Sequence, residues 1–324
     1  MNIDDMCVFF DEQDRFLITT HESPDADGIG AEYALCSMLL DMGKEACVVN
    51  AESAPPQSSF FDKRNLVGDL SQVGVVPEEL KDWFLIIVDT DPTNIGAIQP
   101  LVIEACRDVI VIDHHNPRKN IDVRGYFSPD SSSTCEMVFE ILESMNSKIS
   151  EDMAIALYTG IVFDTGSFVY PKTHARTFGI AETLVNLGVV PRDVWTHLHE
   201  SKSKEALMLQ AYVSQTMELH DDDRIAIQTM SRDTLIASGA HFEECQGIVN
   251  IPLQCARVRV SVFLKERRNG ERRCSLRSKG EVDCSIVAYN LGGGGGHTTA
   301  AGFRFEASFT EIQDKILEMV HRCF

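Results

Sequence analysis

Apolar residues in the first half of the chain come in short unbroken runs: Phe16-Leu-Ile18, Ala46-Cys-Val-Val49, Phe84-Leu-Ile-Ile-Val88 and Val109-Ile-Val-Ile112. Runs of that length that end in polar residues read as strands of a parallel sheet, buried on both faces. Helical patterns alternate with them. One runs from about Gly28 to Met42 and stops at Gly43, and another follows the N-cap cluster Ser131-Ser-Ser-Thr-Cys-Glu136. Two more cover Met153 to Val162 and about His174 to Leu187. This alternation predicts an open α/β sheet. Residues 191–217 read as amphipathic connecting helices.

From Arg224 onward the pattern changes. Ile225-Ala-Ile-Gln-Thr229 and Ala256 to Leu264 read as strands, and Asn269-Gly270 is a hairpin turn signal leading into a return strand from Arg272 to Ser278. A two-residue hairpin there puts Arg277 on the same face as Val258, Val260 and Val262, whereas a bulge reverses it. Asp283 to Leu291 and Phe309 to Arg322 read as helices. The expected fold class is α/β, with an N-terminal mostly parallel sheet flanked by helices. A smaller C-terminal α+β domain follows, with an active site in the cleft between the two. Expected boundaries are 1–190 for the catalytic domain, 191–217 for a helical linker and 218–324 for a substrate-binding domain.

Composition adds limits. A chain of 324 residues exceeds one typical core. No run approaches 18 apolar residues, so no membrane span is expected, and Met1-Asn-Ile-Asp-Asp-Met6 lacks the features of a signal peptide. Ten cysteines without a Cys-x-x-Cys pair argue for buried thiols in a reducing cytoplasm rather than zinc knuckles or disulfides. The net charge of −20 disfavours a duplex-gripping protein. Residues 251–280 nevertheless hold nine Lys or Arg against Glu266 and Glu271. That segment reads either as a solvated hairpin or as an anion-recruiting wall facing the site.

Acidic and histidine clusters then stand out at the ends of the predicted strands. They are His21-x3-Asp25-x-Asp27, Asp89, and Asp113-His114-His115, with Asp164 at a helix end. A single strand-end Asp is ordinarily a cap or turn residue. Several on separate strands would repel one another unless cations offset them. His and Asp without Cys suit Mn²⁺ or Mg²⁺, with Zn²⁺, Co²⁺ and Fe²⁺ as alternatives, and a metal pair can activate water and polarise a phosphoryl oxygen. Near the C-terminus, Gly292-Gly-Gly-Gly-Gly-His297 could wrap an anion or serve as a linker. His174 and Arg176 read as helix N-terminal residues, and the remaining histidines as surface or core.

This ordered set, with Gly294-Gly295-Gly296-His297-x2-Ala-Ala-Gly302, resembles the DHH phosphoesterase superfamily. More narrowly, it resembles the stand-alone members with a DHH-associated C-terminal domain, the nanoRNases and pAp phosphatases. The resemblance implies His21, Asp25 and Asp89 on one metal, and Asp27, Asp89, His114 and Asp164 on a second. It implies that Asp113 fixes the histidines and that His115 meets the scissile phosphate. Arg277 and Ser278, with Gly294, Gly295, Gly296 and His297, would grip the nucleotide. Two divalent ions are implied as cofactors, Mn²⁺ first and Mg²⁺ or Co²⁺ next. The implied activity is hydrolysis of short oligoribonucleotides and linear dinucleotides such as pGpG or pApA to nucleoside monophosphates. The alternatives are a pAp 3′-phosphatase, a pyrophosphatase or polyphosphatase, and a catalytically weak nucleotide sensor. Implied partners are short RNA or small nucleotides and a second copy in a homodimer, with no duplex DNA, no membrane and a cytoplasmic location.

Overall fold

The computed structural model describes residues 1–72, 79–116 and 122–322. The chain divides into two compact units, Met1–Ser201 and Lys202–Phe324, so the break falls inside the expected helical connection.

The first unit runs α1 (Ile3–Glu12), β1 (Arg15–Thr19), α2 (Ala26–Asp41), β2 (Glu45–Asn50), α3 (Pro56–Ser59) and β3 (Val67–Asp69). It continues with β4 (Phe84–Val88), α4 (Gln99–Val102), β5 (Asp108–Asp113), β6 (Arg124–Phe127), α5 (Thr134–Ser144), α6 (Glu151–Asp164), α7 (Ala175–Asn186) and α8 (Pro191–His199). All six strands pair in parallel in the order β3-β2-β1-β4-β5-β6. Strand alternation sorts the apolar runs to two sides. Phe16, Ile18, Val48, Ile86 and Ile110 face the larger core with α2, α5 and α6. Leu17, Val49, Leu85, Ile87 and Val111 face a smaller one. Every residue of β4 is buried, as its unbroken apolar run predicts.

Helix α2 is buried along nearly its whole length and packs against α6 through glycines. A Cβ on Gly30 would lie 2.5 Å from the Ala156 carbonyl oxygen, and one on Gly160 would lie 2.3 Å from Cys135 Sγ. Side chains at these positions would force the helices apart. The first helix was not anticipated. It is an amphipathic segment whose Met6, Phe9 and Phe10 enter the core behind a reciprocal Asn2–Asp5 cap.

The second unit contains α9 (Lys204–Gln215), β7 (Glu218–His220), β8 (Ile225–Met230), α10 (Arg232–Ser238), β9 (Val260–Glu266) and β10 (Arg272–Ser278). After these come α11 (Cys284–Gly292), β11 (Gly295–Gly296), β12 (Ala300–Phe305) and α12 (Phe309–His321). Its sheet has the order β11-β12-β10-β9-β8-β7 and is antiparallel except for the β8–β9 pair. One face packs on α11 and α12, while Phe263 and Met230 on the other join α9 and α10.

The hairpin differs from a two-residue turn. Arg267 N–H donates to the Glu271 carbonyl at 2.8 Å, leaving a three-residue loop with Gly270 at φ +88°. Register therefore shifts by one, pairing Arg277 with Ser261 and Leu276 with Val262. Arg277 turns away from the valine face. Among the described residues no helix is long and apolar enough to cross a membrane.

Gly30→Ala should lower stability by about 1–3 kcal/mol through overpacking. Gly179→Ala, on an exposed and open stretch of α7, should raise it by about 0.5–1 kcal/mol. Denaturant unfolding of both variants checks this, and a Gly30→Ala protein as stable as the parent would refute close α2–α6 packing.

Candidate metal centre

Strand ends and helix starts in the first unit converge on one point. The loop after β1 carries His21 and leads to Asp25, the N-cap of α2. Asp25 Oδ1 accepts N–H bonds from Asp27 (3.0 Å) and Gly28 (3.3 Å), and Oδ2 faces His21 Nε2 at 3.5 Å. One oxygen thus serves the helix and the other the site. Thr20 braces the loop, its N–H on Asn50 Oδ1 and its hydroxyl on the Val88 carbonyl at 3.0 Å.

Asp27 is 1% exposed and points into the N-terminus of α5. Its oxygens accept the Thr134 N–H (2.7 Å) and the Cys135 N–H (2.9 Å), two first-turn donors that a helix cannot satisfy internally. Asp89 follows β4 and is 4% exposed. Its N–H continues the ladder to the Ile112 carbonyl at 2.9 Å while φ swings to +61°. Left-handed backbone is uncommon for a non-glycine residue and concentrates at functional sites. Thr134 Oγ1 donates to Asp89 Oδ1 at 3.0 Å.

His114, at the end of β5, is buried. Its Nδ1 lies 3.4 Å from the Ser131 carbonyl oxygen, which can only accept, so Nδ1 donates there and the ring is turned to aim Nε2 into the cluster. That Nε2 faces Asp89 Oδ1 (3.4 Å), Asp164 Oδ2 (3.4 Å) and Asp27 Oδ2 (3.9 Å). An imidazole nitrogen among three carboxylates is the donor set of a cation site. Asp113 Oδ1 takes both the N–H (3.0 Å) and Nδ1 (2.7 Å) of His115, fixing that ring.

The electrostatics agree. Burial, with the charges of Asp27 and Asp25, raises Asp89 well above the carboxylate range. Burial also pushes Asp164 up to about 7; Asp27 and Asp25 add to this, while His114 and Lys172 pull the other way. Burial opposes charge on His21, but Asp25 and then Asp89 raise it to about 9. These acids cannot all ionise together without a counter-charge. His21, Asp25 and Asp89 bring ligand atoms within 4.8 Å of one another, as do Asp27, Asp89 and His114. The two groups share Asp89, and both fit a divalent cation.

In the second unit Arg277 is half-buried, with Nη1 donating to the Leu276 carbonyl at 2.9 Å. Ser278 is buried and donates its hydroxyl to the Val282 carbonyl, so it builds the turn after β10. The glycine run is not a loose loop. Gly293 and Gly294 give their N–H groups to α11 carbonyls, and Gly295–Gly296 pair with β12. A Cβ on Gly294 would meet the Gly302 oxygen at 2.1 Å. His297 closes a tight turn to Ala300. Of the nine basic residues in 251–280, Arg259, Arg267, Arg272 and Arg273 form ion pairs with glutamates. His174 is the N-cap of α7, as expected, and Arg176 pairs with Glu140.

Thr134 and Lys172 were missed. Thr134 sits in a serine-rich run whose capping role masks its second bond. Lys172 has no local signal; its Nζ donates to the His114 carbonyl at 3.0 Å.

Residues 15–161 match the DHH family, N-terminal domain, and residues 222–324 match the DHHA1 domain. The bifunctional oligoribonuclease and PAP phosphatase NrnA of Thermus thermophilus is 27% identical over 305 residues, covering 94% of this chain and 88% of that protein. The cyclic-di-AMP phosphodiesterase GdpP of Geobacillus thermodenitrificans is 28% identical over 338 residues, covering 97% of this chain. The chain spans about half of that relative's length, 48%. An exopolyphosphatase-related protein from Bacteroides fragilis has a solved structure with a TM-score of 0.89 and 26% identity, covering 98% of this chain and 95% of that one.

Thr134→Val should weaken Mg²⁺ and Mn²⁺ binding about tenfold, because outer-sphere partners of metal ligands typically contribute that much. Calorimetric titration checks it; unchanged affinity would mean that Asp89 is held without the hydroxyl.

Proposed function

Because the chain belongs to the DHH family of phosphoesterases, with a DHHA1 domain behind the catalytic one, we propose that it is a divalent-metal-dependent phosphodiesterase of short oligoribonucleotides. Linear dinucleotides such as pGpG or pApA would be cut to nucleoside monophosphates. The observation that carries this reading is the pair of ligand groups sharing Asp89. The NrnA relatives, of which the chain spans nearly nine-tenths, support the substrate class. Their bifunctional name favours a second reading, 3′-phosphatase action on pAp.

Enzymes of this family depend on divalent metal ions. We assign His21, Asp25 and Asp89 to one ion and Asp27, Asp89, His114 and Asp164 to another, with Mn²⁺ as the ion expected from His and Asp donors without Cys. When bound, such ions supply Lewis acidity at the phosphoryl oxygen and lower the pKa of water. The chain's own residues do the rest. Asp113 locks the His115 ring, and His115 meets the scissile phosphate and stabilises the charge that grows on it. Asp27 and Asp25 stay in place because two helix N-termini hold them. Arg277 grips the nucleotide through a bidentate phosphate contact, with Ser278, Gly294, Gly295, Gly296 and His297 shaping that region.

The full chain, incubated with Mn²⁺ and pApA, pGpG or pAp, should release mononucleotides, and chelation with EDTA should stop it. Asp89→Asn should lower kcat by more than about a hundredfold, since losing a shared ligand forfeits several kcal/mol. Absence of metal-dependent turnover on all three substrates would sink the proposal. Arg277→Ala should raise KM for dinucleotides by at least about tenfold, the lower bound for losing a charge-assisted phosphate contact, and spare bis(p-nitrophenyl) phosphate. Equal loss on both substrates would place the arginine in the fold instead.

A further inference from the structure

The segment after α6 is built in an unusual way. Asp164 closes the helix, and Gly166, Ser167 and Phe168 follow with φ of +56°, +62° and +68°. Three successive left-handed residues, two of them not glycine, are strained and persist only where surroundings enforce them. Here the enforcement is visible. The Val169 and Tyr170 N–H groups both donate to the Thr165 carbonyl, at 3.0 and 2.9 Å. The Phe168 ring stacks on Phe178 with centroids 5.2 Å apart. The product of this course is the position of Lys172, whose Nζ reaches the His114 carbonyl at 3.0 Å.

A lysine beside so many carboxylates would ordinarily pair with one. Among the described residues, the Lys172 ammonium is instead tied to a backbone carbonyl between the two clustered histidines, and Asp164 feels its charge without gripping it. An ammonium has three N–H donors on a compact charge, and the carbonyl takes one. Resting on the function proposed above, we propose that Lys172 is a substrate-binding residue. Its ammonium meets a non-bridging oxygen of the phosphate that is bound at the carboxylate–histidine cluster. The phosphate is anionic before and after cleavage, so a fixed cation there favours binding in both states.

A structural tie would behave differently, and the two roles separate cleanly. Lys172→Met should leave Mn²⁺ affinity, titrated without nucleotide, within about threefold, because no ligand atom is removed. In saturating Mn²⁺ the same variant should bind 5′-AMP about tenfold more weakly and raise KM for pApA similarly, with a smaller change in kcat. Lys172→Arg should recover most of both. A tenfold fall in Mn²⁺ affinity would overturn the inference in favour of a brace for His114. Unchanged AMP affinity and KM would overturn it as well, as would a parent protein that binds no AMP. Parent protein that binds Mn²⁺ and AMP but cleaves no nucleotide would defeat the proposed function, and the AMP titration would still decide the role of Lys172.

Discussion

The carboxylate of Asp27, buried in the mouth of α5, is the contact around which the first unit is arranged. Two N–H groups of the first turn close on it, at 2.7 and 2.9 Å. Those donors carry the positive end of the helix dipole, so a negative charge with almost no access to water is tolerated. The bond also fixes α2 to α5. Helix α6 then fits only because Gly160 faces the pair, where a Cβ would sit 3.0 Å from both Asp27 Cα and Asp27 Oδ1. Core and site are therefore one structure. The packing that stabilises three helices also sets the distance between Asp27, Asp89 and Asp164, and the resulting repulsion is what divalent cations relieve.

Strand order explains why the other residues of the cluster arrive at the same place. In the sequence β3-β2-β1-β4-β5-β6 the chain moves outward from β1 in one direction and from β4 in the other. The loops leaving those two strands diverge, and an open α/β sheet binds its ligand in the crevice between them. His21 and Asp89 stand on its two sides. Thr20 spans it, reaching the Val88 carbonyl immediately before Asp89. The left-handed turn at Asp89 keeps its N–H in the ladder while redirecting the side chain, a geometry that a strand-like φ would not give.

Much of this was legible because burial leaves a plain mark on sequence. A strand buried on both faces must be apolar throughout, and Phe84–Val88 could be little else. The clustered His and Asp residues were legible for the opposite reason, since polar groups in series after such strands need an explanation. What failed to show were features whose signal is split between functions or carried by distant partners. Helix α1 is a single amphipathic stretch whose apolar residues matter only against the sheet. Strand β12, Ala300–Phe305, begins with three small residues, and its place in the sheet is set by pairing with β10. The Asn269-Gly270 turn announced a hairpin correctly, but one extra loop residue reversed the face of Arg277, and periodicity cannot count that residue. Thr134 and Lys172 act through atoms of residues far away in the chain.

Charge gives the last step. A −20 chain carrying a +7 segment invites the idea of a positive surface that collects anions from a distance. In the structure part of that surplus is met by glutamates outside the segment, Glu281 on Arg259 and Glu243 on Arg267. Glu271 alone draws Arg273 and Arg304 to within 3.1 Å and lies 3.9 Å from Arg267, and Glu266 holds Arg272. Partly exposed pairs of this kind add modest stability, and they flatten the field that a solvated ligand would sense. Attraction for an anion must then come from discrete contacts at short range. Such contacts suit a small charged group that can be surrounded and give little to a long strand, which needs many phosphates engaged at once. The hairpin therefore keeps a positive surplus, part of it engaged by neighbouring glutamates, and what a small anion would meet there depends on where single cations stand as well as on how many there are.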